Sequence, residues 1–169
     1  MDDEDDRSYS RAPRIDDLVL ICRALNESGA RYLLIGGFAV IAHGAGRTTK
    51  DIDFLVSSAP ENIDKIKSAL SVLADNAAAE IDAGDVAKYS VVRIADEVII
   101  DLMAKACNID YEEAIADADE LLLDGVPIPL ASKKTLILTK RTTRPMDQAD
   151  RNFLQILLDE EDAGQKPSG

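Results

Sequence analysis

The chain of 169 residues has no tryptophan, one histidine, two cysteines and only 4% aromatic residues. With so few rings, its core has to be aliphatic, built from Ala, Val, Ile and Leu. No stretch approaches the ~20 consecutive apolar residues that a membrane-spanning helix needs. Cys22 and Cys107 lie 85 positions apart, with no CxxC and no paired histidine. That spacing argues against a zinc site or a disulfide framework and fits a reducing cytoplasm. The chain opens Met-Asp-Asp-Glu-Asp-Asp, the reverse of the basic start of a signal peptide.

Hydrophobic residues make up 46% of the chain and charged ones 30%. At this length that is one domain with enough apolar surface for a core. The net charge is −13. Residues 2–6 carry five acids and residues 159–162 four. Setting aside residues 1–6 and 159–169, with Lys166, leaves 23 acids against 18 bases. The ends therefore read as acidic solvated segments, an arm over 1–13 and a tail over 159–169, flanking a domain over 14–158. Duplex nucleic acid requires a basic footprint that this chain lacks. A small anionic ligand in a local pocket is compatible with the composition.

Apolar spacing predicts a helix from Ile15 to Leu25, stopped at Gly29. Tyr32–Ile35 and Asp51–Val56 read as strands, with a brief helix over Phe38–His43 between them. Ser58-Ala59-Pro60-Glu61 has the form of a capping box before a helix carrying Ile63, Ile66, Leu70 and Leu73 on one face. A polar connection over 75–85 leads to a hairpin, Tyr89–Ile94 and Val98–Met103. Tyr111–Ala118 reads as helical, and residues 121–128 as strand around Asp124-Gly125. Helices over Ser132–Arg141 and Asp147–Leu158 complete the chain. The class is α+β, a mixed sheet with helices packed on it.

The chemistry concentrates in Leu34-Ile35-Gly36-Gly37, a gap of 13 residues, then Asp51-Ile52-Asp53-Phe54. Two glycines after a buried strand let the backbone turn sharply and approach a ligand. A helix starting there offers N–H groups to phosphate. Asp51 and Asp53 are two apart on a strand, so both point to one face while Ile52 and Phe54 point to the other. Adjacent carboxylates repel unless a cation or a proton intervenes. Mg²⁺, a hard cation bound jointly by carboxylates and phosphates, suits the pair. Asp101, inside Val98-Ile99-Ile100-Asp101-Leu102-Met103, sits where an acid has no packing reason to be. It can complete a three-carboxylate cluster for two metal ions, or pair with a lysine such as Lys105.

Gly-Gly followed by Asp-Ile-Asp-Phe at this spacing, then a lone Asp in an apolar strand, resembles the DNA polymerase β-type nucleotidyltransferase superfamily. The stretch from Gly36 through Asp53 is most similar to its small bacterial branch, with the aminoglycoside nucleotidyltransferases and the nucleotidyltransferase toxins. Lys140-Arg141 through Arg144, Asp147 and Asp150 resembles the Lys/Arg…Asp…Asp pattern near the end of those domains. The resemblance implies that Gly36 and Gly37 hold the triphosphate of an NTP. It implies that Asp51, Asp53 and Asp101 bind two Mg²⁺, with Asp101 also the base on an acceptor hydroxyl.

Arg47 and Lys50, just before the aspartates, are candidates to greet phosphate. Residues 131–151 hold six basic side chains against Asp147 and Asp150, and Lys133, Lys140 and Arg144 are candidate triphosphate contacts. Asp147 reads as a helix cap and His43 as a packed residue. The expected activity is transfer of a nucleoside monophosphate from NTP to an acceptor, with release of pyrophosphate. The acceptor is left open between a small molecule, a partner protein and a second copy of the chain. A toxin–antitoxin component acting through a partner, or a non-catalytic nucleotide-binding module, are the competing readings.

Overall fold

A computed structural model describes residues 10–165 of the chain, with side chains through residue 164. It contains α1 (Ile15–Ser28), β1 (Tyr32–Ile35), α2 (Gly36–Ala42), β2 (Asp51–Val56) and α3 (Pro60–Leu70). A 3₁₀ turn (Ala77–Glu80) and α4 (Asp85–Lys88) lead to β3 (Val92–Ala95) and β4 (Ile99–Met103). Then follow β5 (Lys105–Ala106), β6 (Ile109–Asp110), α5 (Tyr111–Ile115), β7 (Asp119–Leu123), β8 (Val126–Leu130), α6 (Lys133–Thr139) and α7 (Pro145–Gln165). Six strands form one mixed sheet in the order β3-β4-β2-β1-β8-β7. β2 pairs parallel with β4 and antiparallel with β1, and β3 folds back antiparallel on β4. The expected class is the observed one.

β1 is buried at all four positions, as a run of Tyr-Leu-Leu-Ile demands at the centre of a sheet. β2 alternates: Ile52 and Phe54 are buried while Asp51 and Asp53 are half-buried on the opposite face. The Phe54 face carries the core. Tyr32 meets Phe54 edge to face at 5.4 Å, and its hydroxyl donates to Asn26 Oδ1 of α1 at 2.7 Å. α1 and α3 pack against each other on this core, with Leu18, Ile21, Leu25, Ile63, Ile66 and Leu70 fully buried. Ile15, at the first position of α1, remains exposed.

α1 ends as its sequence indicates: Gly29 adopts φ 72°, and the Ala30 N–H donates to the Leu25 carbonyl. At the other end of α1, Asp17 accepts the backbone N–H of Arg14 at 2.7 Å and pairs with Arg11. The arm expected over 1–13 is therefore fastened at Ser10, whose hydroxyl donates to the Asp96 carbonyl, and at Arg11, which donates to the carbonyl and the side chain of Glu97. Its first nine residues lie outside the described residues. Ser58 does not cap α3. The helix begins one residue later than a Ser58 cap would set it, with Ala59 at the cap position and Pro60, whose φ is fixed for a helix start, in its first turn. The small hairpin β5–β6 was not legible, because two-residue strands carry no periodicity. It turns on Cys107 and Asn108, both at positive φ. The last helix runs past Leu158, so residues 159–165 continue α7 where a tail was expected; residues 166–169 lie outside the described residues.

Candidate active site

The cleft opens where β1 ends. Gly36, the first residue of α2, has φ +71°, a conformation that a side chain resists. A Cβ there would lie 2.0 Å from Asp53 Oδ2, so the absence of a side chain at Gly36 is what gives the Asp53 carboxylate its place. At Gly37 a Cβ would come within 2.6 Å of Thr49 Oγ1 and 3.2 Å of Arg47 Nη1. Both glycines therefore admit neighbouring side chains to the site as well as exposing backbone.

The sheet register sets the acids side by side. Asp53 pairs across with Asp101 in β4, and Asp101 pairs across with Arg93 in β3. One carboxylate oxygen from each of Asp51, Asp53 and Asp101 lies within 4.8 Å of the others. Among the described residues no other trio of potential ligating side chains converges in this way. Burial, with the charges of Asp51 and Asp101 beside it, pushes the Asp53 carboxyl up to about 8, against the pull of the Lys140 ammonium. Three hard oxygen donors, crowded so that burial and mutual repulsion disfavour their full charge, make a donor set that suits a divalent cation such as Mg²⁺.

Asp101 is not paired with Lys105. Arg93 grips it with two bonds, Nε to Oδ1 at 2.9 Å and Nη2 to Oδ2 at 3.0 Å, and approaches Asp51 Oδ2 at 3.5 Å. A cleft of about 630 Å³ surrounds the cluster. Its lining combines Gly36, Gly37, Arg47, Thr49, Lys140 and Arg144 with the apolar Val91, Met103, Ala106 and Met146.

Arg47 and Lys140 reach this cleft through a shared partner. Asp150, buried in α7, accepts Arg47 Nε at 3.1 Å and Nη2 at 2.8 Å, and lies 3.1 Å from Lys140 Nζ. Asp147 sits 3.7 Å from the same ammonium and accepts bonds from Thr142 and Arg144. Burial alone would raise the Asp147 carboxyl, yet these bonds and the Lys140 and Arg144 charges hold it below its ordinary value. It ties the α6–α7 corner by side-chain contacts instead of capping α7. Arg151 closes that corner, donating to the Lys140 and Thr142 carbonyls at the end of α6.

Two expected phosphate contacts do not reach the cleft. Lys50 is exposed and borders a second depression with Ser10, Arg11 and Ala12, which shares only Asp51 with the cleft. Lys133 pairs with Glu161 at 2.5 Å, because α7 extends far enough to bring that acid to α6. His43 ends α2 with Nε2 2.9 Å from the Ala131 carbonyl, a packing contact.

The family model of the nucleotidyl transferase AbiEii toxin, Type IV toxin–antitoxin system, matches residues 19–150. The chain belongs to this family. It is thereby a nucleotidyltransferase, and the matched span contains every acid and glycine of the cluster described above. In fold, the AbiEii-family chain is similar to the crystal structure of a candidate nucleotidyltransferase from Thermotoga maritima. The TM-score is 0.54 at 14% identity, covering 86% of this chain and 92% of that one. No curated protein matches it in sequence.

Neither Arg93 nor Thr49 was among the residues expected in this AbiEii-family site, and Asp150 entered only as part of the Lys/Arg…Asp…Asp resemblance. Arg93 had one signal, a lone basic residue in an apolar strand preceding the strand of Asp101. Asp150 was marked by its place in that pattern, but its pairing with Arg47, 103 positions away, had no local signal.

Proposed function

We propose that this chain moves a nucleoside monophosphate from an NTP to an acceptor hydroxyl and releases pyrophosphate, with Mg²⁺ held by Asp51, Asp53 and Asp101. The convergence of these three carboxylates beside Gly36 and Gly37 carries the reading. Mg²⁺ bound there would supply positive charge to the oxygens on either side of the transferred phosphorus. Asp51 and Asp53 would hold it, the cation offsetting the burial and the neighbouring charges that favour a proton on Asp53. Asp101 would share in binding and take the proton of the acceptor hydroxyl.

Arg47 and Lys140 face the same cleft and are held by Asp150, which fixes two positive charges where the leaving phosphates would lie. Arg144, far more exposed, would follow the phosphates once they are in place. The apolar side chains of Val91, Met103 and Met146 in the lining would offer contact to the base or the acceptor.

As the family name couples nucleotidyl transfer with a toxin, we read this chemistry as the source of toxicity, with the acceptor a cellular molecule or protein. No helix among the described residues is long and apolar enough to cross a membrane. The reading is tested by thermal protection with each of the four NTPs, with Mg²⁺, and with both. A shift for the pair exceeding the sum of the separate shifts supports one shared site; strict additivity speaks against it.

A further inference from the structure

Arg93 stands on the edge strand β3, where a long basic side chain would ordinarily extend into water. Instead its side chain is 26% exposed and lies over the cluster. Its guanidinium takes both oxygens of Asp101, itself 8% exposed in its side chain, and reaches Asp51. One fixed positive charge thus touches two of the three carboxylates that would hold a divalent cation. The planar fork matches a carboxylate edge and stays charged at every working pH.

We propose that Arg93 is a built-in counter-ion of the carboxylate cluster: it orients Asp101 and opposes binding of a bare divalent cation, so that the site favours a cation arriving with nucleotide phosphates. The inference rests on the reading of the cluster as the cation site. Its physical basis is charge balance. A dication placed among these acids sits within a few ångströms of the guanidinium and is repelled by it in a half-buried setting. The phosphates of a nucleotide bring negative charge that offsets this repulsion. The guanidinium therefore weakens binding of the cation alone far more than binding of the cation with nucleotide. Arg93 acts through Asp51 and Asp101, as a positioning residue.

The test uses Mn²⁺ as the probe, its binding followed by electron paramagnetic resonance with and without a non-hydrolysable NTP analogue. Arg93→Gln should bind Mn²⁺ alone at least about tenfold more tightly than wild type. With the analogue present the gain should shrink below roughly threefold. Arg93→Lys keeps the charge and should stay close to wild type for Mn²⁺ alone. Arg93→Met, whose unbranched stem keeps the packing, gives the same readout if Arg93→Gln fails to fold. Folded Gln or Met variants that bind Mn²⁺ alone no better than wild type would overturn the proposal. Asp51→Asn separates the two levels of the argument. If it binds Mn²⁺ as wild type does, with and without the analogue, the cluster reading fails, and the role of Arg93 with it.

Discussion

Replacing Asp53 by Asn removes a charge that the fold resists. In the metal-free protein the Asp53 carboxyl is raised to about 8, by burial first and then by the charges of Asp51 and Asp101. In the unfolded chain the same group titrates near ~3.9. Between these values the unfolded chain releases the proton and the folded chain keeps it. Stability therefore falls as pH rises through this window and levels off above about 8. At ~1.4 kcal/mol per pH unit the full span sets a ceiling of ~5–6 kcal/mol. Arg93, which pairs with Asp101 and approaches Asp51, offsets part of the repulsion, so we expect about half of that. The amide introduced by the substitution has the shape of the carboxylate and fits the same space over Gly36. Asp53→Asn should then exceed wild type by ~1 kcal/mol at pH 5 and ~2–3 kcal/mol at pH 8. The latter is ~5–10 °C in melting temperature for a chain of this size. The assay is thermal and urea unfolding of both proteins in chelator from pH 5 to 8. A difference that stays constant with pH, or a less stable variant at pH 8, would refute the argument.

Three further outcomes follow from the same geometry. Gly36→Ala meets Asp53 Oδ2 at 2.0 Å on a backbone at φ +71°, so it should cost at least ~2 kcal/mol by urea unfolding and abolish Mn²⁺ binding. Asp150→Ala leaves Arg47 and the buried Lys140 without their shared carboxylate; denaturation should show a loss of ~3–5 kcal/mol. Lys50→Ala and Lys133→Ala should leave nucleotide affinity within about twofold of wild type by calorimetry, since neither side chain lines the cleft.

The sheet centre was legible because its signals are local. Tyr32–Ile35 and Asp51–Val56 coincide with β1 and β2, where a continuous apolar run and a clean alternation each have one interpretation. The Asp124-Gly125 turn was equally plain: both residues adopt positive φ, as a two-residue hairpin requires. The acids of the cluster were found because a charge inside an apolar strand needs a reason. What stayed hidden depends on register and on distant chain segments. Arg93 meets Asp101 only because β3 folds back on β4 with those two residues opposite each other. Arg47 finds Asp150 only once α7 is docked on α6. Basic residues could be counted in the sequence, but their partners could not. Asp150 draws Arg47 and Lys140 to the cleft, while Glu161 holds Lys133 away from it.

The central claim is that Asp51, Asp53 and Asp101 form the working centre of a nucleotidyl transfer site. The most direct measurement incubates the protein with each of the four NTPs, labelled at the α-phosphate, together with Mg²⁺ and a cell extract as the source of acceptor. Label incorporation and pyrophosphate release are followed in parallel. Wild type should transfer label from at least one NTP with matching pyrophosphate. Asp51→Asn, folded by circular dichroism, should fall by ~10³-fold or more, as expected when a cation ligand at the reacting phosphate is lost. Transfer by Asp51→Asn at the wild-type rate would contradict the account.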